Sequence, residues 1–132
     1  MLLGVAQDAG VPQIGCDCET CAHARCDPGR RQLVVSLGLV DRAAARFWLI
    51  DATPDFRDQY DRMREWARGC SFGGVLLTHA HIGHYTGLIH LGKEAMNARQ
   101  AQAYCTPAMC EFLAAHAPWS QLVTLGNIVP TA

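Results

Sequence analysis

The chain has 132 residues, long enough for one domain with a core that folds alone. Half of the residues are hydrophobic and 17% are charged, which excludes a disordered chain, and no apolar run reaches the roughly 18 residues of a spanning helix. Eleven basic residues against twelve acidic ones give a net charge of −1 with no charge block, so neither nucleic acid nor a membrane is expected as a partner. In chain order, Leu2–Ala6 reads as a short strand, and a turn-rich, cysteine-rich stretch follows from Gln7 to Arg31. Gln32–Val40 and Arg46–Asp51 read as two strands joined by a polar turn at Asp41-Arg42. Thr53-Pro54 has the form of an N-cap with proline at the first helical position. Phe56, Tyr60, Met63 and Ala67 then recur at helical spacing, and Gly69 ends the segment. Gly74–Thr78 is continuously apolar, the pattern of a strand buried on both faces. Tyr85–Ala95 is expected to be helical, Ala101–Cys105 a strand, Pro107–His116 a helix capped by Thr106, and Gln121–Leu125 a last strand. Strands alternating with helices predict a single α/β domain over residues 1–132 with a mixed sheet. Met1-Leu2-Leu3-Gly4 has no charged region leading into a sustained apolar stretch, so a cytoplasmic chain is expected.

Two clusters carry chemistry. His79-x-His81-x-x-His84 follows directly on the buried strand. In extended chain, residues i and i+2 point to one side, so His79 and His81 can reach one ion. Gly83 is expected to let the chain turn and bring His84 to the same cavity. Neutral imidazole suits zinc, iron, manganese or copper, and metal sites commonly sit on loops at strand ends. Cys16-x-Cys18-x-x-Cys21 places three thiols within six residues of a metal-binding turn at residues 10–31. With seven Cys in all, this reads as metal binding in a reducing compartment rather than as a disulfide framework. Tetrahedral zinc needs four donors, with Cys26 or His23 as the nearby candidates for the fourth, and such a closed site is structural. Cys70, Cys105 and Cys110 read as small buried residues, His90 as a core or groove residue, and Arg25, Arg30 and Arg31 as a solvated turn. Trp48, Trp66 and Trp119 read as packing residues.

The segment Thr78-His79-Ala80-His81-Ile82-Gly83-His84 resembles the H-x-H-x-D-H signature of the metallo-β-lactamase superfamily, and Phe47–Asp51 resembles its earlier apolar strand ending in Asp. Gly4–Cys21 and His84-Tyr85-Thr86-Gly87-Leu88 resemble the pyrroloquinoline-quinone biosynthesis protein B group and its hydrolase-like relatives. The resemblance implies an αββα sandwich of α/β (α+β) class, of which the N-terminal half is expected here, as a mixed sheet with helices on one face. It implies a metal-dependent hydrolase acting on a small molecule. His79 and His81 would hold a first metal (zinc, iron or manganese), His84 a second or looser one, and Asp51 would orient the loop. Cys16, Cys18 and Cys21 would hold a structural zinc. Gly83 stands where the superfamily carries an Asp that ligates the second metal, and the superfamily's later ligands belong to a second half. The histidine site is therefore expected to be weak or singly occupied, and Gly83→Asp to strengthen it. The bare sheet face is expected to be covered by a homo-oligomer or by the second half. Two other readings are a metal-binding module without turnover and an iron-dependent oxidative enzyme.

Overall fold

Apolar alternation in the β-rich runs builds one sheet, and the computed structural model describes it together with all other residues from 1 to 132. The strands are β1 (Leu2–Gly4), β2 (Ser36–Asp41), β3 (Arg46–Ile50), β4 (Ser71–Leu76), β5 (Ala101–Tyr104) and β6 (Ile128–Thr131), lying side by side in chain order. β2 is antiparallel to both β1 and β3, whereas β3 to β6 are parallel. Parallel neighbours need crossovers. These are α2 (Phe56–Trp66) between β3 and β4, two 3-10 segments (Ile82–His84 and Thr86–Leu91) between β4 and β5, and α3 (Pro107–Ala115) with α4 (Trp119–Thr124) between β5 and β6. The remaining helix, α1 (Glu19–Cys26), lies between β1 and β2. No helix is long and apolar enough to cross a membrane.

The period-2 pattern sorts the sheet into two faces. Phe47, Leu49 and Val75 share one core with Phe56, Met63, Leu88, Leu91, Leu113 and Leu122, and Ala103 is buried beside Val75 in register. On the other face, Leu37 registers with Ile50 and Leu39 with Trp48, and Leu76 and Tyr104 continue the row. Leu37 and Leu39 remain 40% and 44% exposed. The mixed sheet with helices on one face is as the sequence predicts.

Four local readings change. Gln121–Leu125 falls within and just beyond α4 rather than forming a strand, because Leu122 alone is buried there, and Gly126 at φ 69° then turns the chain into β6. β6 contains Pro130, tolerated because the strand lies at the sheet edge. Tyr85–Ala95 is not an α-helix, and its regular part is the 3-10 segment Thr86–Leu91. Within the Cys-rich stretch, Glu19–Cys26 is helical, with Cys21 and Ala24 facing inward. Thr53 does not cap α2, whose first helical residue is Phe56. Instead its buried hydroxyl accepts from the Asp55 amide at 3.1 Å and donates to Gln59 Oε1 at 2.7 Å. Gln59 Nε2 in turn donates to the Val34 carbonyl at 2.7 Å, and Asp55 Oδ2 accepts from the Val34 amide at 2.8 Å. This polar network ties α2 to the segment leading into β2.

Candidate metal centre

Because β3 and β4 are parallel neighbours ending at Ile50 and Leu76, both deliver their following residues to the same sheet end. Asp51 directly follows β3 and is buried, with φ at 66°, and its amide donates to the Leu76 carbonyl at 2.9 Å. A left-handed non-glycine residue is costly backbone, held only where the surroundings over-determine it. Here its carboxylate does so. Oδ1 accepts from the Thr78 amide at 2.8 Å and from Thr78 Oγ1 at 2.9 Å, and Oδ2 accepts from His84 Nδ1 at 2.7 Å.

The same contacts fix the ring tautomers. An ionised carboxylate only accepts, so the Thr78 hydroxyl hydrogen and the His84 Nδ1 hydrogen both point at Asp51. The Thr78 oxygen is then free to accept from His79 Nδ1, 2.9 Å away. With Nδ1 so engaged, both His79 and His84 turn Nε2 to the cluster, the nitrogen a metal would take. His79 Nε2 lies 3.0 Å from His81 Nδ1, and the His79 ring centroid is 4.6 Å from that of His81 and 4.1 Å from that of His84. His84 Nε2 faces a residue the sequence did not single out, Asp8, whose Oδ1 is 3.2 Å away.

Donors that share one ion through bonds of about 2.0–2.2 Å sit roughly 3 Å apart. The His79–His81 and His84–Asp8 pairs both meet that spacing, so the donor set fits a metal. They meet as pairs: only at the cysteines do three donor atoms all lie within 4.8 Å of one another. Gly83 is not the expected hinge. It has no positive φ and lies in the Ile82–His84 turn, and a Cβ there would fall 2.7 Å from the Asp8 carboxyl. Glycine is required by that close approach. Asp at position 83 would collide with Asp8, so the strengthening expected of Gly83→Asp does not follow.

A cavity of about 260 Å³ opens beside His79, walled by Leu77, Tyr85, Ala108, Met109 and Phe112, with Thr78 and Thr106 supplying polar edges. Cys105 lines it too, with its sulfur 3.2 Å from that of Cys110. They and Cys70 are half-buried rather than fully buried. Burial, followed by the neighbouring Cys110 thiol, pushes the Cys105 thiol up to about 12. His90 lies half-buried in a groove, stacked on Phe56 at 6.2 Å, and its protonation is disfavoured by burial and then by Arg57. His116 stacks on Phe112 at 4.8 Å, away from the three histidines.

At the N-terminal site, Cys16, Cys18 and Cys21 converge because α1 begins immediately after Cys18, which turns Cys21 back towards the loop. The Gln13 amide donates to Cys21 Sγ at 3.3 Å, and the Cys21 amide beside Cys18 pulls the Cys18 thiol down, favouring thiolate. The cluster can hold a metal ion. Neither expected fourth donor joins it. Cys26 follows Cys21 by five residues, which rotates it about 140° around the helix, and His23 points to solvent from the same helix.

A family model described as the Beta-lactamase superfamily domain matches residues 46–128, the span from β3 into β6. The chain belongs to the metallo-β-lactamase superfamily. Within that superfamily it is similar to coenzyme PQQ synthesis protein B of Klebsiella pneumoniae, 29% identical over 123 residues, which are 89% of this chain and 39% of that protein. Among solved structures it is similar to Zn(2+)-bound PqqB from Methylobacterium extorquens, with TM-score 0.75 and 22% identity over 99% of this chain and 48% of that one. A diphosphatase of the PhnP family gives TM-score 0.67 and 27% identity with the same coverage. The chain thus spans less than half the length of these relatives.

Proposed function

We propose that the protein is a metal-dependent hydrolase, similar to the pyrroloquinoline-quinone biosynthesis protein B group, acting on a small-molecule phosphate ester or acyl compound. The observation that carries this reading is the relay from Asp51 through Thr78 to His79 and directly to His84, which engages both Nδ1 atoms and turns both Nε2 atoms to the cluster. His79 and His81 would hold one metal, with His84 near a second. A metal held there would supply a water of pKa about 7 and polarisation of the oxygen under attack. Asp51 holds the rings in register, and the cavity beside His79 receives the apolar part of the substrate and sheds water. The phosphate-ester arm is supported by the diphosphatase neighbour. Zinc at Cys16, Cys18 and Cys21 is supported by the convergence of their sulfurs and by the zinc-bound neighbour. Seven free cysteines support a reducing, cytoplasmic setting, and the bare sheet face supports a second copy or further chain as its cover.

The test is hydrolysis of bis(p-nitrophenyl) phosphate and of a thioester, with metal content measured in parallel. Activity should vanish on chelation and return with zinc or manganese. His81→Ala should lower it by more than the roughly 10–100-fold that losing an outer partner of a metal costs. A specific observation favours a second reading, a metal-binding module without turnover: three donors converge only at the cysteines. One zinc per chain, none at the histidines and no hydrolysis would establish that reading. Iron at the histidines would instead indicate oxidative chemistry.

A further inference from the structure

The contact between Asp8 and His84 joins residues 76 positions apart in sequence, and it exists because position 83 has no side chain. His84 is only 10% exposed, and its Nδ1 is already committed to Asp51. Its remaining nitrogen, Nε2, faces Asp8 Oδ1 at 3.2 Å. An imidazole nitrogen and a carboxylate oxygen at that distance are joined either by a proton on Nε2 or by a cation that both ligate. The Asp8 segment is held in place for this. Ala6 bridges Val34, Val11 bridges Gln32, and the Gly10 amide closes a turn onto the Gln7 carbonyl at 2.8 Å. Asp8 therefore stands at the apex of a turn fastened on both sides, with its side chain half-exposed and one oxygen on His84. The site also has room for only one carboxylate. A Cβ on Gly83 would lie 2.7 Å from Asp8 Cγ and Oδ2 and 2.8 Å from its Cβ.

We propose that Asp8 is a metal ligand, binding a divalent cation together with His84 Nε2 and supplying from the N-terminal turn the negative charge that Gly83 does not. This rests on the metal reading of the histidine cluster above. Carboxylate with imidazole is a set that takes Mn²⁺, a hard ion for which thiolates compete poorly.

The probe is therefore Mn²⁺, titrated into the full chain with zinc already at the cysteines and followed by the loss of the free-ion electron paramagnetic resonance signal. Wild type should bind Mn²⁺ at the histidine cluster. Asp8→Asn keeps the side-chain shape and should weaken one Mn²⁺ equivalent by about tenfold or more, at least the cost of losing an outer partner. Gly83→Asp alone should bind no better than wild type, because the two carboxylates exclude each other. Asp8→Gly combined with Gly83→Asp clears that space and should restore binding. Equal Mn²⁺ affinity in wild type and Asp8→Asn would overturn the assignment, leaving Asp8 a hydrogen-bond partner of His84. Tighter binding by Gly83→Asp alone would overturn it too. Absence of any Mn²⁺ at the wild-type histidines would instead remove the metal reading on which it rests.

Discussion

Asp51 carries more of the site's order than its position at the end of a strand suggests. One buried carboxylate satisfies an amide, a hydroxyl and an imidazole, while its own backbone sits at φ 66°. Asp51→Ala would strand all three donors and put a residue without a local hydrogen-bonding side chain in the left-handed region. Thr78 is exposed and its donors can turn to water, but the His84 donor is buried, and one buried donor left unsatisfied costs about 1–3 kcal/mol, so urea denaturation should show a loss of that order. Asp51→Asn keeps the shape and suits that backbone, so its stability cost should be smaller. It changes the partner of His84 Nδ1, however, and metal affinity at the histidines should fall by roughly 10–100-fold. A second residue-scale prediction concerns pH. With its thiol pushed up to about 12, Cys105 stays protonated through the neutral range, whereas exposed Cys26 is open to reagent. Since thiolate is the nucleophile, iodoacetamide at pH 8 should label Cys26 long before Cys105 in the native protein, as read by peptide mass spectrometry. The two should converge once the chain is unfolded.

Among the elements, what the sequence discloses depends on whether one short pattern decides the outcome. The strand from Arg46 to Ile50 and the helix around Phe56, Met63 and Ala67 are legible, because their apolar spacing agrees with their burial, whereas the strand expected at Gly74–Thr78 starts three residues earlier and ends at Leu76, which is only half-buried. The Cys-x-Cys-x-x-Cys and His-x-His-x-x-His spacings are likewise local. The stretch Gln121–Leu125 misleads because its strand-like composition is overruled by tertiary context, with Leu122 alone drawn into the core. Helix α1 is hidden by the prolines and glycines around it, although Glu19–Cys26 itself contains none. Asp8 is illegible because its role depends on a contact made only when β1 and the histidine loop are brought together, and the absence of a side chain at Gly83 is the sole trace of it. The α1 segment also yields a prediction. It buries little beyond Cys21 and Ala24, so zinc at Cys16, Cys18 and Cys21 should be its main restraint. Chelation, or Cys16→Ser with Cys18→Ser, should speed tryptic cleavage at Arg25, Arg30 and Arg31 while the parallel strands stay protected. Zinc stoichiometry unchanged in the double variant would show that the ion is held elsewhere.

The whole molecule is one-sided. Helices cover the face of Phe47, Leu49, Val75 and Ala103, while Leu37, Leu39, Trp48, Ile50, Leu76 and Tyr104 form a continuous row on the other. Registered neighbours in adjacent strands stand about 5 Å apart, so this row makes one apolar patch rather than scattered residues. Monomeric soluble proteins seldom expose more than a few hundred Å² of contiguous apolar surface. The 132-residue chain is therefore expected to self-associate through this face, because burying it releases about 25 cal/mol for each Å² of apolar area removed from water. Sedimentation velocity over a concentration series should show species larger than a monomer. Leu37→Lys with Leu39→Lys should shift the distribution towards monomer, since both side chains point out of the sheet and their substitution leaves the helix-covered core intact. A monodisperse wild-type monomer that unfolds cooperatively would mean that the half-buried Trp48 and Ile50 already shield enough of the row, and that this face needs no cover.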